Sequence, residues 1–407
     1  MKKILIINTV FDRGGAAKVA RSIFEYTKRS EKHDIYFAYG RGAKMNRNRL
    51  FKFGFNLEIY LHAFFVRFLG VEGFGTYFST QKLINFMKKE KFDLIHLHNL
   101  HGYYLNFFRL INFLKSQKIP LIWTLHDEWT TTSLLAYSMD CVHCKTGKGK
   151  CINTYTYPKT YNKLFLNFML KRKQKHFSSL KNLIIVCPSK WLAERVRESY
   201  LSKFNIVTIY NGVDVNLFKP SENKKGLREK YNLPIDKKIV LFSASGFKEK
   251  RKGIDYVIKT AERLENNNVL FLGVGGGQIP QRNNIHNFGY VSDRKTMSEL
   301  CALSDLYIFP SFAEICMPLA SLEAMASGLP VVAFKIGPMK EIITEKEGIL
   351  VEIGNTKDLT LATKSILEKD NLRKDMSNNA RERVVNQFSL GKMLKNYESL
   401  YYNTIFQ

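Results

Sequence analysis

The sequence predicts an α/β protein built from two Rossmann-like, doubly wound domains facing each other across a cleft. Three observations predict it. A chain of 407 residues exceeds the roughly 250–300 residues at which a single hydrophobic core stops growing, so two domains are expected. Short apolar, β-branched runs alternate with amphipathic segments, the pattern of parallel strands joined by crossover helices. That alternation occurs twice, in two series separated by a polar, lysine-rich stretch.

The first series places strands at 4–8, 34–38, 94–98, 121–125 and 183–187, with helices at 16–29, 80–90 and 104–117. The second opens with KIVLFSAS at Lys238 and continues through VLFLGVGGG from Val269, LYIFPS from Leu306, LPVVAF from Leu329 and GILVEI from Gly348. These runs are near-continuously apolar, as expected of strands covered on both faces. The junction falls at NGVDVNLFKP (211–220), where Asn211-Gly212 and Pro220 break the pattern. A first domain over 1–210 and a second over 211–389 follow. The last helix, 390–407, carries Met393, Leu394, Tyr397, Leu400 and Tyr401 at helical spacing, which gives it a buried face, and it is expected to join the first domain. Residues 50–78 are dense in aromatics and lightly basic. They form either a surface for membrane lipid or a greasy acceptor, or helices packed onto the first domain.

Hydrophobic residues at 45% and charged residues at 24% exclude a largely disordered chain. The 63 Lys+Arg against 36 Asp+Glu give a net charge of +27, which favours an anionic partner. Nucleic acid is not the expected one, because the lysines are spread over both halves without a recognition module or a basic stripe interleaved with stacking aromatics. The apolar run after Met1-Lys2-Lys3 is too short for a secretory signal. No stretch approaches the roughly 20 apolar residues of a membrane span. Six cysteines, half clustered and half scattered, do not make a disulfide framework, so a reducing cytoplasm is the expected location.

The motifs sit at predicted strand ends. Gly14-Gly15 follows the first strand and opens a helix, whose N–H groups and dipole suit phosphate or sugar oxygens; a plain βα turn is the alternative. The glycine fingerprint of dinucleotide enzymes is absent there. LIHLHNLHG and WTLHDEW place His98, His101 and the pair His126-Asp127 at the strand edge that faces the ligand crevice of open α/β sheets. An imidazole beside a carboxylate holds a defined tautomer and hydrogen-bonds a hydroxyl. Lys248-Glu249-Lys250-Arg251-Lys252-Gly253 suits a diphosphate by its position at a βα junction, and Gly273 with Gly275-Gly276-Gly277 reads as a tight turn near a nucleotide. In FPSFAEICMPLASLEAMASGLPVVAF, Glu314 lies in a loop and Glu323 on the helix that Gly328 and Pro330 end; carboxylates there accept hydrogen bonds from sugar and ribose hydroxyls. The C-x2-C spacing of Cys141 and Cys144, with Cys151 and His143, suits a structural zinc, free thiols or a labile disulfide being the alternatives.

On these motifs the chain resembles a retaining glycosyltransferase of family 4, of GT-B fold, over essentially its whole length. PSFAE…LEAMASGLPVV resembles the family's paired-glutamate motif, NGVDVNLFKP its interdomain segment, and FGYVSD and the C-terminal FSLGKMLKNYESLYY further landmarks. HLHNLHGYY, WTLHD, the cysteine cluster and VCPSKWLAE resemble a branch associated with colanic acid and other surface polysaccharides. The resemblance implies a nucleotide-sugar donor, UDP- or GDP-linked, and no catalytic metal; the net charge and the aromatic segment predict peripheral attachment to the inner face of the cytoplasmic membrane, with a lipid-diphosphate-linked or oligosaccharide acceptor. It implies His126 at the donor sugar or reacting centre with Asp127 and Glu314 beside it, and Glu323 on the ribose. It also implies Arg251 or Lys252 at the diphosphate, with Lys248 standing in for the family's arginine, and Gly14, Gly15, Gly275, Tyr290 and Val291 framing the donor. The family leaves seven residues between its glutamates. Here eight intervene, so Ile315 takes the expected position and Glu314 serves if the loop bulges. The chain contains no D-x-D, which fits transfer without metal. A non-catalytic sugar- or nucleotide-binding module on the same fold is the alternative that Glu314's displacement leaves open.

Overall fold

The computed structural model describes residues 1–138, 141, 157–313 and 316–406. The chain divides into two compact units, Met1–Tyr210 with Leu394–Gln407, and Asn211–Met393.

In the first unit β1 (Lys2–Asn8), α1 (Gly15–Ser30), β2 (His33–Tyr39) and β3 (Leu50–Lys52) come first. Then follow α2 (Asn56–Leu69), α3 (Tyr77–Glu90), β4 (Leu94–Leu97), α4 (Phe107–Ser116) and β5 (Leu121–Thr124). The unit is completed by α5 (Leu166–Phe177), β6 (Leu183–Cys187), α6 (Lys190–Arg197) and β7 (Asn205–Thr208). All seven strands form one parallel sheet in the order β3-β2-β1-β4-β5-β6-β7. β4 and β5 are buried at every residue, because parallel strands with crossover connections are covered on both faces. The order reverses between β1 and β4, so the loops leaving those two strands diverge and open a crevice at their C-terminal ends. Side-chain caps fix helix starts: Asn106 accepts from the Arg109 N–H before α4, and Ser189 from the Leu192 N–H before α6.

The second unit runs α7 (Lys224–Lys230), β8 (Lys238–Gly246), α8 (Ile254–Arg263), β9 (Val269–Gly276), β10 (Ile285–Gly289) and α9 (Arg294–Leu303). It continues with β11 (Leu306–Phe309), α10 (Leu319–Ala326), β12 (Val331–Phe334), α11 (Met339–Ile342), β13 (Gly348–Val351), α12 (Thr356–Glu368) and α13 (Asp370–Gln387). Its six parallel strands lie in the order β10-β9-β8-β11-β12-β13. Here the reversal falls between β8 and β11. Val240, Phe242, Val257, Phe271, Ile308 and Val332 belong to its core. The last helix, α14 (Leu390–Phe406), starts in the second unit and from Leu394 belongs to the first. There Tyr397 and Tyr401 are fully buried.

Several elements differ from the expectation. β3, β7 and β10 were not foreseen. They are sheet edges, short and partly exposed, and lack the continuous apolar run that marks an interior strand. β4 stops at Leu97 and β5 at Thr124, which leaves His98 and His126 just past their strands. Residues 50–78 contain α2 and the start of α3, as the helical alternative expected, with the short edge strand β3 before them. α2 packs inward through Ile59, His62 and Val66 and presents an equally apolar stripe outward.

Candidate active site

In the first unit the crevice edge carries a histidine cluster. His96, inside β4, is buried: its Nδ1 meets the Tyr401 hydroxyl at 2.6 Å and its Nε2 the Thr124 hydroxyl at 2.8 Å. His98, one residue past the strand, pairs through Nδ1 with His126 Nε2 at 2.9 Å, the two rings stacked at 5.2 Å between centroids. The sequence suggested that His126 and Asp127 work as a pair, and the structure corrects this. Asp127 accepts from His101 Nε2 at 2.7 Å and from the Trp129 N–H at 3.0 Å. Adjacent residues leaving a strand point to opposite sides, so neighbours in sequence take different partners. His98 thereby steadies His126, and Asp127 steadies His101.

Burial sets the protonation states. It pushes His126 down to about 4 and His96 to about 3, and holds His98 well below its ordinary value. His101 behaves oppositely: burial disfavours its charge, but the Asp127 charge and hydrogen bond outweigh that and raise it. Asp127 is held below the ordinary carboxylate range because His101 more than offsets its own burial.

Beneath this cluster lies a scaffold that sequence reading missed. The indole N–H of Trp129 donates to Glu72 at 2.6 Å, and the Gly102 N–H donates to the other Glu72 oxygen at 3.3 Å. The Lys173 ammonium donates to the Trp129 and Thr132 carbonyls and stands 3.7 Å from the indole centroid. Burial pushes Glu72 up and Lys173 down. Together they clamp the loop that carries Asp127. Three positions as far apart in sequence as 72, 129 and 173 leave no local signal, and Lys173 is hidden in the cationic run 171–175.

At the other strand end of the same edge, Gly14 has φ +87° and starts α1 with no side-chain cap, so the first-turn N–H groups of that helix have no intrahelical partner. A Cβ at Gly14 or Gly15 would meet nothing within 4 Å. The space in front of this helix is open.

In the second unit the loops at the strand-order reversal come together. The Phe312 N–H and Ser311 hydroxyl donate to the Arg251 carbonyl at 3.0 and 3.1 Å. A Cβ on Gly253 would lie 2.0 Å from the Pro310 carbonyl oxygen. Only glycine permits this approach, and at φ +68° only glycine takes the backbone without strain. The loop bearing Lys248, Arg251 and Lys252 is therefore fastened to the segment that leads to Glu323. Arg251 pairs with Glu249 at 2.8 Å, and Lys248 is exposed. Glu323, on α10, is buried to 7% exposure rather than solvent-facing. Gly275 has a packing reason to be glycine, since a Cβ there would sit 2.2 Å from the Ala244 carbonyl oxygen; the open position is Gly277, at φ +99° with nothing within 4 Å. Tyr290 is exposed and Val291 half-buried, just beyond β10. Glu314 lies outside the described residues.

Cys144, Cys151 and His143 also lie outside the described residues. Cys141 is buried among Val66, Leu134, Leu135 and Leu166. Among the described residues no group of three or more His, Cys, Asp or Glu side chains is placed to hold a metal ion.

Residues 13–217 match the family model described as Glycosyltransferase Family 4, and 223–383 that of Glycosyl transferases group 1. The chain is similar to the UDP-Gal:alpha-D-GlcNAc-diphosphoundecaprenol alpha-1,3-galactosyltransferase of Escherichia coli, with 28% identity over 52% of this chain and 57% of that protein. It is similar also to the putative colanic acid biosynthesis glycosyl transferase WcaC of Escherichia coli K12, with 23% identity over 85% of this chain and 86% of that one. Two other leading relatives are matched over 60% and 61% of their own length. Sucrose-phosphate synthase from Thermosynechococcus elongatus shares the fold with a TM-score of 0.74 over 99% of both chains at 17% identity. Anabaena Alr3699/HepE in complex with UDP and glucose does so with a TM-score of 0.68, over 99% of this chain and 100% of that chain, at 16% identity. The shared fold is two Rossmann-like α/β domains of the GT-B class.

Proposed function

The chain belongs to glycosyltransferase family 4, and from that premise we propose that it transfers a hexose, with retention and without metal, from a UDP- or GDP-sugar to a growing surface-polysaccharide acceptor. The acceptor is an oligosaccharide or a lipid-diphosphate-linked glycan, handled at the inner face of the cytoplasmic membrane. The similar galactosyltransferase names a diphosphoundecaprenol substrate, and the similar HepE structure holds UDP and glucose; both support this reading. The first unit takes the acceptor side and the second the donor.

The observation that carries the donor assignment is the Gly253–Pro310 approach. It ties the cationic loop after β8 to the segment after β11, at the point where strand order reverses and open α/β sheets bind ligands. A nucleoside diphosphate leaving group develops negative charge as the glycosidic bond breaks. Preorganised cations stabilise that charge without reorganising at the moment of reaction. Lys248, Arg251 and Lys252 serve this purpose, and Glu323 accepts from the ribose hydroxyls. In the first unit His126, neutral at physiological pH, offers its second ring nitrogen to a sugar hydroxyl, and the uncapped start of α1 faces phosphate or sugar oxygens. Glu314 and Asp127 complete the proposed set, Asp127 acting through His101.

The experiment is release of free nucleoside diphosphate from UDP-, GDP- and ADP-sugars in the presence of a chelator. Turnover of one donor supports the reading. Donor binding without turnover, with acceptor present, would support a non-catalytic binding module instead.

A further inference from the structure

We propose that the outward face of α2, with the neighbouring 157–168 segment and the start of α5, is a docking surface for an anionic phospholipid bilayer. The proposal rests on the membrane location proposed above and names the face responsible.

The argument begins with the helix. α2 buries Ile59, His62 and Val66, yet Leu57, Tyr60, Leu61, Phe64, Phe65 and Phe68 on its other side are all exposed, between 40% and 74%. A water-facing stripe on a surface helix is ordinarily polar. This one has a single acid and a single base, Glu58 and Arg67. Glu58 is already engaged, accepting from the Phe78 and Ser79 N–H groups and the Ser79 hydroxyl. The helix is apolar all round and, among the described residues, packed on one side only.

The stripe is continuous with more of the same chemistry. The Phe64 and Phe68 rings lie 4.6 Å apart, tilted to each other, and Phe68 lies 5.8 Å from Tyr161. The Tyr161 N–H donates to the Arg67 carbonyl at 2.8 Å. Leu164, Phe165 and Phe168 extend the patch, Leu164 with 83% of its surface exposed. Isolated exposed apolar residues are unremarkable, but a contiguous patch of this kind marks an interaction surface.

Charge decides the occupant. Residues 157–175 hold no acid, and besides the buried Lys173 they carry five cations: Lys159, Lys163, Lys171, Arg172 and Lys175. Arg172 stands 4.9 Å from the Phe74 ring, Arg109 4.0 Å from Tyr77, and Lys82 5.1 Å from Phe55. Cations interleaved with exposed aromatics suit an interface where rings enter the acyl boundary and ammonium and guanidinium groups meet phosphate. A second copy of the chain would bring the same positive rim against itself. Fourteen residues rise only about 21 Å, short of the roughly 30 Å hydrocarbon core, so α2 lies in the interface rather than across it.

The test floats the full chain with phosphatidylglycerol-containing vesicles and with phosphatidylcholine alone, at low and high salt. The wild type is expected to float with the anionic vesicles at low salt and to be released by salt. Tyr60→Ser with Phe64→Ser and Phe68→Ser, all exposed positions, is expected to lower the bound fraction about ten-fold, since binding scales with buried apolar area. Lys171→Glu with Lys175→Glu should remove the preference for anionic lipid. Nucleoside diphosphate release by these variants with a soluble acceptor stays at the wild-type rate, so loss of flotation and loss of transfer report on separate claims. Absence of flotation, or flotation undiminished in the triple variant, overturns the proposal. A dimer that the triple variant dissociates, seen by light scattering without lipid binding, overturns it in favour of a second copy.

Discussion

At the scale of single residues, the hydrogen-bond inventory assigns a proton. His98 Nε2 is buried without a partner among the described residues, while Nδ1 meets His126 Nε2. A buried N–H left unmet is rarer than an under-satisfied acceptor. His98 therefore carries its proton on Nδ1 and donates to His126, which leaves His126 protonated on Nδ1 as a donor toward a sugar or phosphate oxygen. His126→Ala should lower donor turnover by roughly 100-fold, the scale of losing one positioned donor. His98→Phe, which frees the His126 tautomer, should lower kcat about ten-fold, since about 1.4 kcal/mol is a factor of ten. His98→Asn should recover part of that. Equal kcat in His98→Phe and His98→Asn would contradict the assignment. The glycines separate fold from site in the same way. Gly15→Ala has open space around its new methyl and should leave the melting temperature unchanged while raising KM for the donor. Gly253→Ala drives a methyl into the Pro310 carbonyl, and thermal unfolding should show it to be destabilised by at least 1 kcal/mol or so, on the scale of strained glycine replacements.

At the scale of elements, the loops after β4 and β5 are held by groups their own sequences do not contain. Lys173→Met removes the donor to two backbone carbonyls and, after His101, one of the two positive charges that act on the buried Glu72. Breaking one side of a buried charged arrangement typically costs about 3–5 kcal/mol, and calorimetry should show a lowered transition. The histidines add a pH dependence whose sign is fixed. His62 and His126 are pushed down to about 4 and His96 to about 3 by burial. The unfolded chain takes up their protons near 6.5 and the native chain only near 4 or below, so stability falls as pH drops from about 6.5 toward 4. His101 runs the other way, because Asp127 raises it: its contribution is complete at low pH and is lost as pH rises through its raised value. The depressed histidines, His98 among them, outweigh the one raised group, and melting temperatures measured between about pH 7 and pH 5 should decline. A rise over that interval would mean the histidines are not buried neutral. The same elements show what a sequence reveals. β1, β4, β8 and β11 were legible because interior parallel strands are apolar throughout, and the site loops were legible because they begin where those runs stop. β3, β7 and β10 were not, since edge strands half-exposed to water carry mixed sequences. The His126–Asp127 pair was misread for a related reason: proximity along the chain says nothing about which side of the sheet a side chain leaves by.

At the scale of the whole molecule, two Rossmann-like units carry a charge of +27, and the aromatic face of α2 lies on the first of them. The paired-glutamate segment and the Lys-Gly loop were recognisable as motifs, but only the structure shows them fastened together at one carbonyl. Glu72 and Lys173, by contrast, became visible only through packing. Nucleoside diphosphate release tests the central claim most directly. Wild type would be incubated with UDP-, GDP- and ADP-sugars under chelation, beside Glu323→Ala and His126→Ala. Turnover of one donor by the wild type, lost in both variants while their melting temperatures hold, is the predicted result. Turnover that survives both substitutions, or no donor binding by the wild type at all, would contradict it.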